Sequence, residues 1–286
     1  MSLIYNLVQL LRPKHYLKNF LVFLPLLFSG QLLTAGYVVN ALYAFFAFCM
    51  AASVVYVVND IADRKRDAQH PLKKNRPIAS GRVSLTQAII LLVVVVGLCV
   101  TALLALQPSV YAVALLVGYV AMNIAYSFGL KNVPILDVAI LSLGFVMRVY
   151  FGGEAIGVEV SSWLYLAILA FSFYLGLGKR RNELIAHGSR TRAVNRFYSK
   201  DFLDKNMYVF LGLTVMYYSL WAIDPAQQHK AVVWTVPLVM VIVMTYSLAI
   251  ENESSDGDPV EVLTHNKALL SLAALYGVLM LGLVYV

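Results

Sequence analysis

Long apolar runs separated by short charged stretches set the pattern of this chain. A helix needs around 20 apolar residues to cross ~30 Å of hydrocarbon at ~1.5 Å per residue. On that measure, spans are predicted at about 17–33, 38–58, 85–106, 110–127, 134–151, 162–178, 207–222, 231–250 and 268–286. Backbone polar groups inside hydrocarbon must be satisfied within the spanning structure, and the alternating pattern of barrel strands is missing, so the runs are read as helices. The expectation is an all-α polytopic membrane protein, a bundle of nine transmembrane helices forming a single catalytic domain over 1–286. Two long loops, about 59–84 and 179–206, are expected to hold short helices that cap the bundle.

Composition agrees with this pattern. Of 286 residues, 60% are hydrophobic and 13% charged, with mean hydropathy +0.76, whereas a soluble domain carries roughly 25% charged residues. A net charge of +7 raises the question of nucleic acid, and the placement of the charges argues against it. The N-terminal segment and the loops after the second, fourth, sixth and eighth spans hold 20 of the 22 Lys and Arg residues. Lys230 lies on the opposite side, and Arg148 lies within the fifth span. The positive-inside rule then puts the N-terminus and the charged loops on the cytoplasmic face of a plasma (inner) membrane, in contact with its lipid. Arg12, Pro13, Lys14, His15 and Lys18 break the first apolar run, so no cleavable signal peptide is expected. Cys49 and Cys99 lie in apolar runs without metal-ligand spacing. A homo-oligomer is compatible with the sequence, because lipid-facing and helix-facing apolar surfaces look alike.

Candidate chemistry concentrates after the second span, where residues 56–82 read YVVNDIADRKRDAQHPLKKNRPIASGR. On a continued helix Asp60, Asp63 and Asp67 share one face, with Asn59 beside Asp63. Like charges at that spacing repel unless neutralised, and hard oxygens suit Mg²⁺, which uses one or two carboxylates and completes its shell with substrate phosphates and water. The interleaved Arg64, Lys65 and Arg66, with Lys73, Lys74 and Arg76, offer phosphate-binding groups; Arg76, beside Pro77, is the preferred one. After the sixth span, FSFYLGLGKRRNELIAHG places Glu183 within one helical turn of Lys179 and Arg180, tilting that site toward direct phosphate recognition. Two ionisable residues fall within the fifth span. Asp137 is either a helix-start acid or part of a site, and Arg148 either snorkels toward Glu154 or faces inward and stabilises the bundle.

These motifs resemble a known family. NDIADRKRD matches the NDxxDxxxD motif of the UbiA-type intramembrane prenyltransferase superfamily, and NRPIASG resembles its following Arg-Pro segment. The resemblance covers nearly the whole chain and implies a nine-helix bundle whose aspartates bind Mg²⁺ and a diphosphate, with a lateral opening for a lipid chain. Lys179, Arg180 and Glu183 stand where members acting on prenyl diphosphates carry a second DxxxD-like motif. That departure, with LRPKHYLKN (Arg12, Lys14, His15, Lys18, Asn19), YSFGLKNVPILD (Tyr126, Ser127, Lys131, Asp137) and GFVMRVYFGG (Arg148), looks like the polyprenyl-phosphate (decaprenyl-phosphate) phosphoribosyltransferase branch. The resemblance implies transfer of 5-phosphoribose from phosphoribosyl pyrophosphate to a polyprenyl phosphate, releasing pyrophosphate, for lipid-linked pentose and cell-wall polysaccharide synthesis. Asp60, Asp63 and Asp67 would hold Mg²⁺. Lys179 and Arg180 would act with them, and Lys14, Lys18, Asn59, Arg64, Arg76, Tyr126, Lys131 and Glu183 would bind substrate. The alternative is prenyl transfer from a prenyl diphosphate to an aromatic or lipid acceptor. A transporter is disfavoured, because polar groups crowd one side of apolar spans rather than the midplane.

Overall fold

The structure is a computed structural model that describes residues 2–69, 73–187, 193–225, 229–252 and 259–286. Twelve α-helices are described: α1 (Leu3–Leu11), α2 (Leu24–Phe28), α3 (Ala35–Ala62), α4 (Arg64–Ala68), α5 (Leu85–Leu106), α6 (Val110–Phe128), α7 (Leu136–Ile156), α8 (Ser162–His187), α9 (Lys200–Ala222), α10 (Val236–Asn252), α11 (Pro259–His265) and α12 (Lys267–Tyr285). The chain divides into two compact units. One comprises Met1–Phe128 with Met147–Glu159, the other Gly129–Val146 with Val160–Val286.

Among the described residues, seven helical stretches are long and apolar enough to cross a membrane: Ala35–Ala62, Leu85–Leu106, Val110–Phe128, Leu136–Ile156, Ser162–Ala186, Lys230–Glu251 and Lys267–Tyr285. The protein is thus an all-α polytopic membrane protein, with seven candidate spans among the described residues where nine were expected. The expected span at about 17–33 is not one α-helix. It runs as a 3₁₀ helix over Pro13–Phe23 followed by the five-residue α2, because Arg12 turns left-handed (φ 54°) and Pro13 and Pro25 lack the N–H that an α-helical ladder needs. The expected span at about 207–222 lies on α9, whose 23 residues give about 34 Å of length. Its first two turns carry Lys200, Asp201, Asp204 and Lys205, which lower its apolar character.

In the first unit, α3 packs against α5 and α6. Its buried Ala41, Ala44, Ala47, Ala51, Ala52 and Ser53 keep its surface low, the usual device for close helix approach in lipid. Phe48 packs its ring against Tyr119 (4.6 Å between centroids) and Phe151 (5.5 Å). Gly152 admits no side chain at all, because a Cβ there would sit 2.0 Å from the Val22 carbonyl oxygen. The start of α5 is fixed by a reciprocal cap: the Gln87 N–H donates to Ser84 Oγ (3.2 Å), and the Ser84 N–H donates to Gln87 Oε1 (2.9 Å).

The second unit is built on α8 and α9. Phe173 and Phe210 stack at 4.7 Å, and Val138, Tyr174, Leu175, Leu203 and Tyr246 share the buried core. Gly176 lets the Val138 side chain close on α8, at 2.8 Å from where a Cβ would stand. The helix α8 continues through Lys179, Arg180 and Glu183 to His187, so these three residues occupy helical turns within the stretch expected as a cap loop.

Candidate active site

In the first unit the acidic motif forms where α3 ends. Asp60 is on the last turn of α3, Asp63 is the residue at which the chain breaks, and Asp67 is on α4. The break changes the arrangement from the single face that a continuous helix would give. Asp60 and Asp67 turn inward, with side chains 4% and 2% exposed. Arg76 Nη1 donates to both, at 3.1 Å to Asp60 Oδ1 and 2.7 Å to Asp67 Oδ2. Arg12 Nη2 donates to the same Asp60 oxygen at 2.7 Å and lays its guanidinium over Tyr56, 4.8 Å from the ring centroid. Asp63 pairs with the exposed Arg66, at 2.7 Å. Arg76 is presented by the turn leading into α5, where the Ser80 N–H donates to the Arg76 carbonyl (2.9 Å), the Val83 N–H donates to that of Pro77 (3.0 Å), and Gly81 takes φ 75°.

The motif's oxygens suit a hard divalent cation. Asn59 Oδ1, on the residue before Asp60, is buried and has no hydrogen-bond partner among the described residues. No group of three or more His, Cys, Asp or Glu side chains is gathered tightly enough to hold a metal among the described residues. The carboxylates of Asp60 and Asp67 and the Asn59 amide oxygen are hard donors of the kind that a divalent cation takes alongside oxygens from a ligand.

A second cluster lies in the second unit. Arg180 is wholly buried; its Nε donates to Asp137 Oδ2 and its Nη1 to Glu183 Oε2, both at 2.6 Å. The Tyr198 hydroxyl donates to the other Asp137 oxygen (2.6 Å) and accepts from the Ile135 N–H (2.6 Å). Burial, and then the bond to Asp137, push the Tyr198 hydroxyl well above the usual tyrosine range, so it stays a protonated donor. Beside this cluster Arg181 pairs with Asp204, which also takes Lys200 at 3.1 Å.

The family model that matches is the UbiA prenyltransferase family, over residues 22–264. The chain belongs to this family. Two relatives match nearly end to end: the decaprenyl-phosphate phosphoribosyltransferase of Corynebacterium glutamicum, 32% identical over 94% of this chain and 83% of the relative, and that of Mycobacterium tuberculosis strain H37Rv, 31% identical over 95% and 92%. The fold is that of a UbiA homolog from Archaeoglobus fulgidus solved with GPP and Mg²⁺ (TM-score 0.73, 18% identity, 98% of this chain and 100% of that one).

Against this UbiA framework the residues singled out from sequence fall into distinct places. Asp60, Asp67 and Arg76 come together with Asn59 adjacent in sequence, and Asp63, at the helix break, pairs with Arg66. Lys14 is exposed, and Lys18, Arg64 and Tyr126 are half-buried in the same unit. In the other unit Arg180 and Glu183 are bonded to each other, and Lys131 and Lys179 are half-buried. Arg148 faces inward. Its Nε donates to Asn19 Oδ1 (2.8 Å) and its Nη2 to the Tyr119 hydroxyl (3.0 Å), with the guanidinium 5.1 Å from the Phe48 ring centroid. It stabilises the first unit's interior, while Glu154 takes the Ser109 hydroxyl at 2.8 Å.

Sequence reasoning missed Arg12 as a partner of Asp60, and Tyr198 as the group that fixes Asp137. Neither partner lies within a few residues of its target, so no local spacing announces it. The one signal was indirect: an acid such as Asp137 within an apolar span implies a partner somewhere in the chain.

Proposed function

We propose that the protein transfers a 5-phosphoribosyl group from phosphoribosyl pyrophosphate to a polyprenyl phosphate, with decaprenyl phosphate as the acceptor, and releases pyrophosphate. The observation that carries this reading is the basic end of α8, where Lys179 and Arg180 stand with the single acid Glu183 in the place of a second aspartate pair. The near full-length likeness to decaprenyl-phosphate phosphoribosyltransferases points the same way. Prenyl transfer from a prenyl diphosphate would call for a second acidic pair here, and this stretch of α8 carries the single acid Glu183, already bonded to Arg180.

Asp60, Asp63 and Asp67, with the Asn59 amide oxygen, would hold Mg²⁺ together with the donor's pyrophosphate. The chemistry the metal supplies when bound is neutralisation of the pyrophosphate charge that grows as the C1–O bond of the ribose breaks. Arg12 and Arg76 keep the buried Asp60 and Asp67 compensated. Both guanidiniums reach solvent, so each can turn a fork of N–H donors toward phosphate oxygens. Arg64 and Tyr126 serve donor binding in the same unit.

Lys179 supplies charge to the phosphates, and Arg180 holds Asp137 and Glu183 in fixed places. Lys14, Lys18 and Lys131 orient the lipid phosphate and screen the repulsion between two anionic substrates. The attacking phosphate oxygen is already an anion, so no strong general base is required. In this reading the chain is one catalytic domain of nine spans in a plasma membrane, with α9 and the 13–28 segment completing the set. The N-terminus and the reaction are cytoplasmic.

Purified protein with Mg²⁺, a polyprenyl phosphate and either donor tests the proposal. Pyrophosphate release from phosphoribosyl pyrophosphate with a lipid-linked phosphoribose product, reduced by about 100-fold or more in Asp60→Ala, is the expected result. Turnover of a prenyl diphosphate with an aromatic acceptor, and none with phosphoribosyl pyrophosphate, would sink it.

A further inference from the structure

The 3₁₀ helix Ala193–Phe197 holds an unexplained polar group. Asn195 is 1% exposed, yet neither its Nδ2 nor its Oδ1 has a hydrogen-bond partner among the described residues. Buried amides are nearly always paired, and an unpaired one points to an unseen water, ion or ligand. Leucine, of similar size, would fill the same space without leaving a donor and an acceptor unmet. Packing alone therefore does not account for an amide at this position.

The surroundings narrow the choice of partner. Val194, the preceding residue, is fully buried in the second unit's core, whereas Arg196 and Phe197, which follow, are exposed. The Arg196 guanidinium lies 4.7 Å from the Phe197 ring centroid. The Asn195 carbonyl accepts the Tyr198 N–H at 3.3 Å, which ties the turn to the residue that bonds Asp137. The turn also packs beside Leu130–Asn132, which carries Lys131. A neutral amide with a donor and an acceptor both unmet thus sits in a stretch of chain rich in cations. Phosphate oxygens only accept, so they would use half of the amide. A hydroxyl both donates and accepts, so it can use either side.

We infer that Asn195 is a specificity-determining residue that binds a ring hydroxyl of a sugar-phosphate donor, with Arg196 serving its phosphates. This inference rests on the proposed phosphoribosyl donor. It adds to that proposal a recognition of the sugar itself, separate from the pyrophosphate.

The test is equilibrium binding, without lipid acceptor, of phosphoribosyl pyrophosphate and of analogues lacking the 2-hydroxyl or the 3-hydroxyl, with Mg²⁺ present throughout. Wild type, Asn195→Leu and Asn195→Ala are compared, and each variant's thermal unfolding is recorded. Wild type is expected to prefer the complete donor over at least one analogue by about tenfold, the scale of one hydrogen bond. Both variants are expected to lose that preference while their Tm stays level or, for Asn195→Leu, rises. A wild type indifferent to both analogues, or variants that keep its preference, overturns the inference and leaves the proposed donor standing. Variants that lose binding and Tm together overturn it too, because the role is then structural. Failure of wild type to bind phosphoribosyl pyrophosphate at all overturns the proposed donor, and this inference with it.

Discussion

The two charged clusters use the same residue types and differ in which partner is dry. At the end of α3 the carboxylates of Asp60 and Asp67 are buried while their arginines, Arg12 and Arg76, reach solvent. At the end of α8 it is the arginine that is wholly enclosed, with Asp137 equally buried and Glu183 nearly so. An arginine with one side wet can trade a carboxylate for another anion at little cost in hydration. An enclosed one cannot, because parting it from its acids leaves an uncompensated charge in a low-dielectric interior. The first cluster is therefore built for exchange and the second for permanence, although both look like clustered charge in the sequence.

Removing the enclosed cation is the strongest way to break this comparison. Arg180→Ala should lower stability by about 3–5 kcal/mol, read as a large fall in thermal midpoint in detergent. A midpoint near wild type would mean that the second cluster is as tradable as the first. A milder test takes away one bond and leaves the charges. Tyr198→Phe should cost about 1–3 kcal/mol, since it orphans one Asp137 oxygen and the Ile135 N–H; no change would show that Asp137 needs only Arg180. The smallest effect sharpens the other side. Arg66→Ala removes an exposed partner of Asp63 and should change stability by no more than about 1 kcal/mol, and a larger loss would place Asp63 among the fixed groups.

How much of this was legible in advance depends on the range of the interaction. The spans of α5, α6 and α12 could be read almost to the residue, because long uncharged runs bounded by Ser84, Gln107 or Asn266 carry their own start and stop signals. The segment over 13–28 could not, since apolar content measures length and not helix type, and Pro13, Pro25 and the left-handed Arg12 decide the latter. In the candidate site, the local motif pointed to Asp60, Asp67 and Arg76. It placed Asp63 on the same helical face, whereas the helix breaks at that residue and Asp63 pairs with Arg66. The Arg12–Asp60 and Tyr198–Asp137 pairs lie 48 and 61 residues apart, beyond what any spacing rule reaches.

Gly152 bears on how natural variation in this protein should be interpreted. With the Val22 carbonyl filling the place of a first side-chain carbon, even alanine is excluded there without a shift of the backbone. A survey of tolerated variants would therefore mark position 152 as forbidden ground, although a glycine brings no side chain to any chemistry. Invariance there would record the closeness of two backbone segments, and a screen that ranked residues by intolerance alone would mistake that closeness for catalysis.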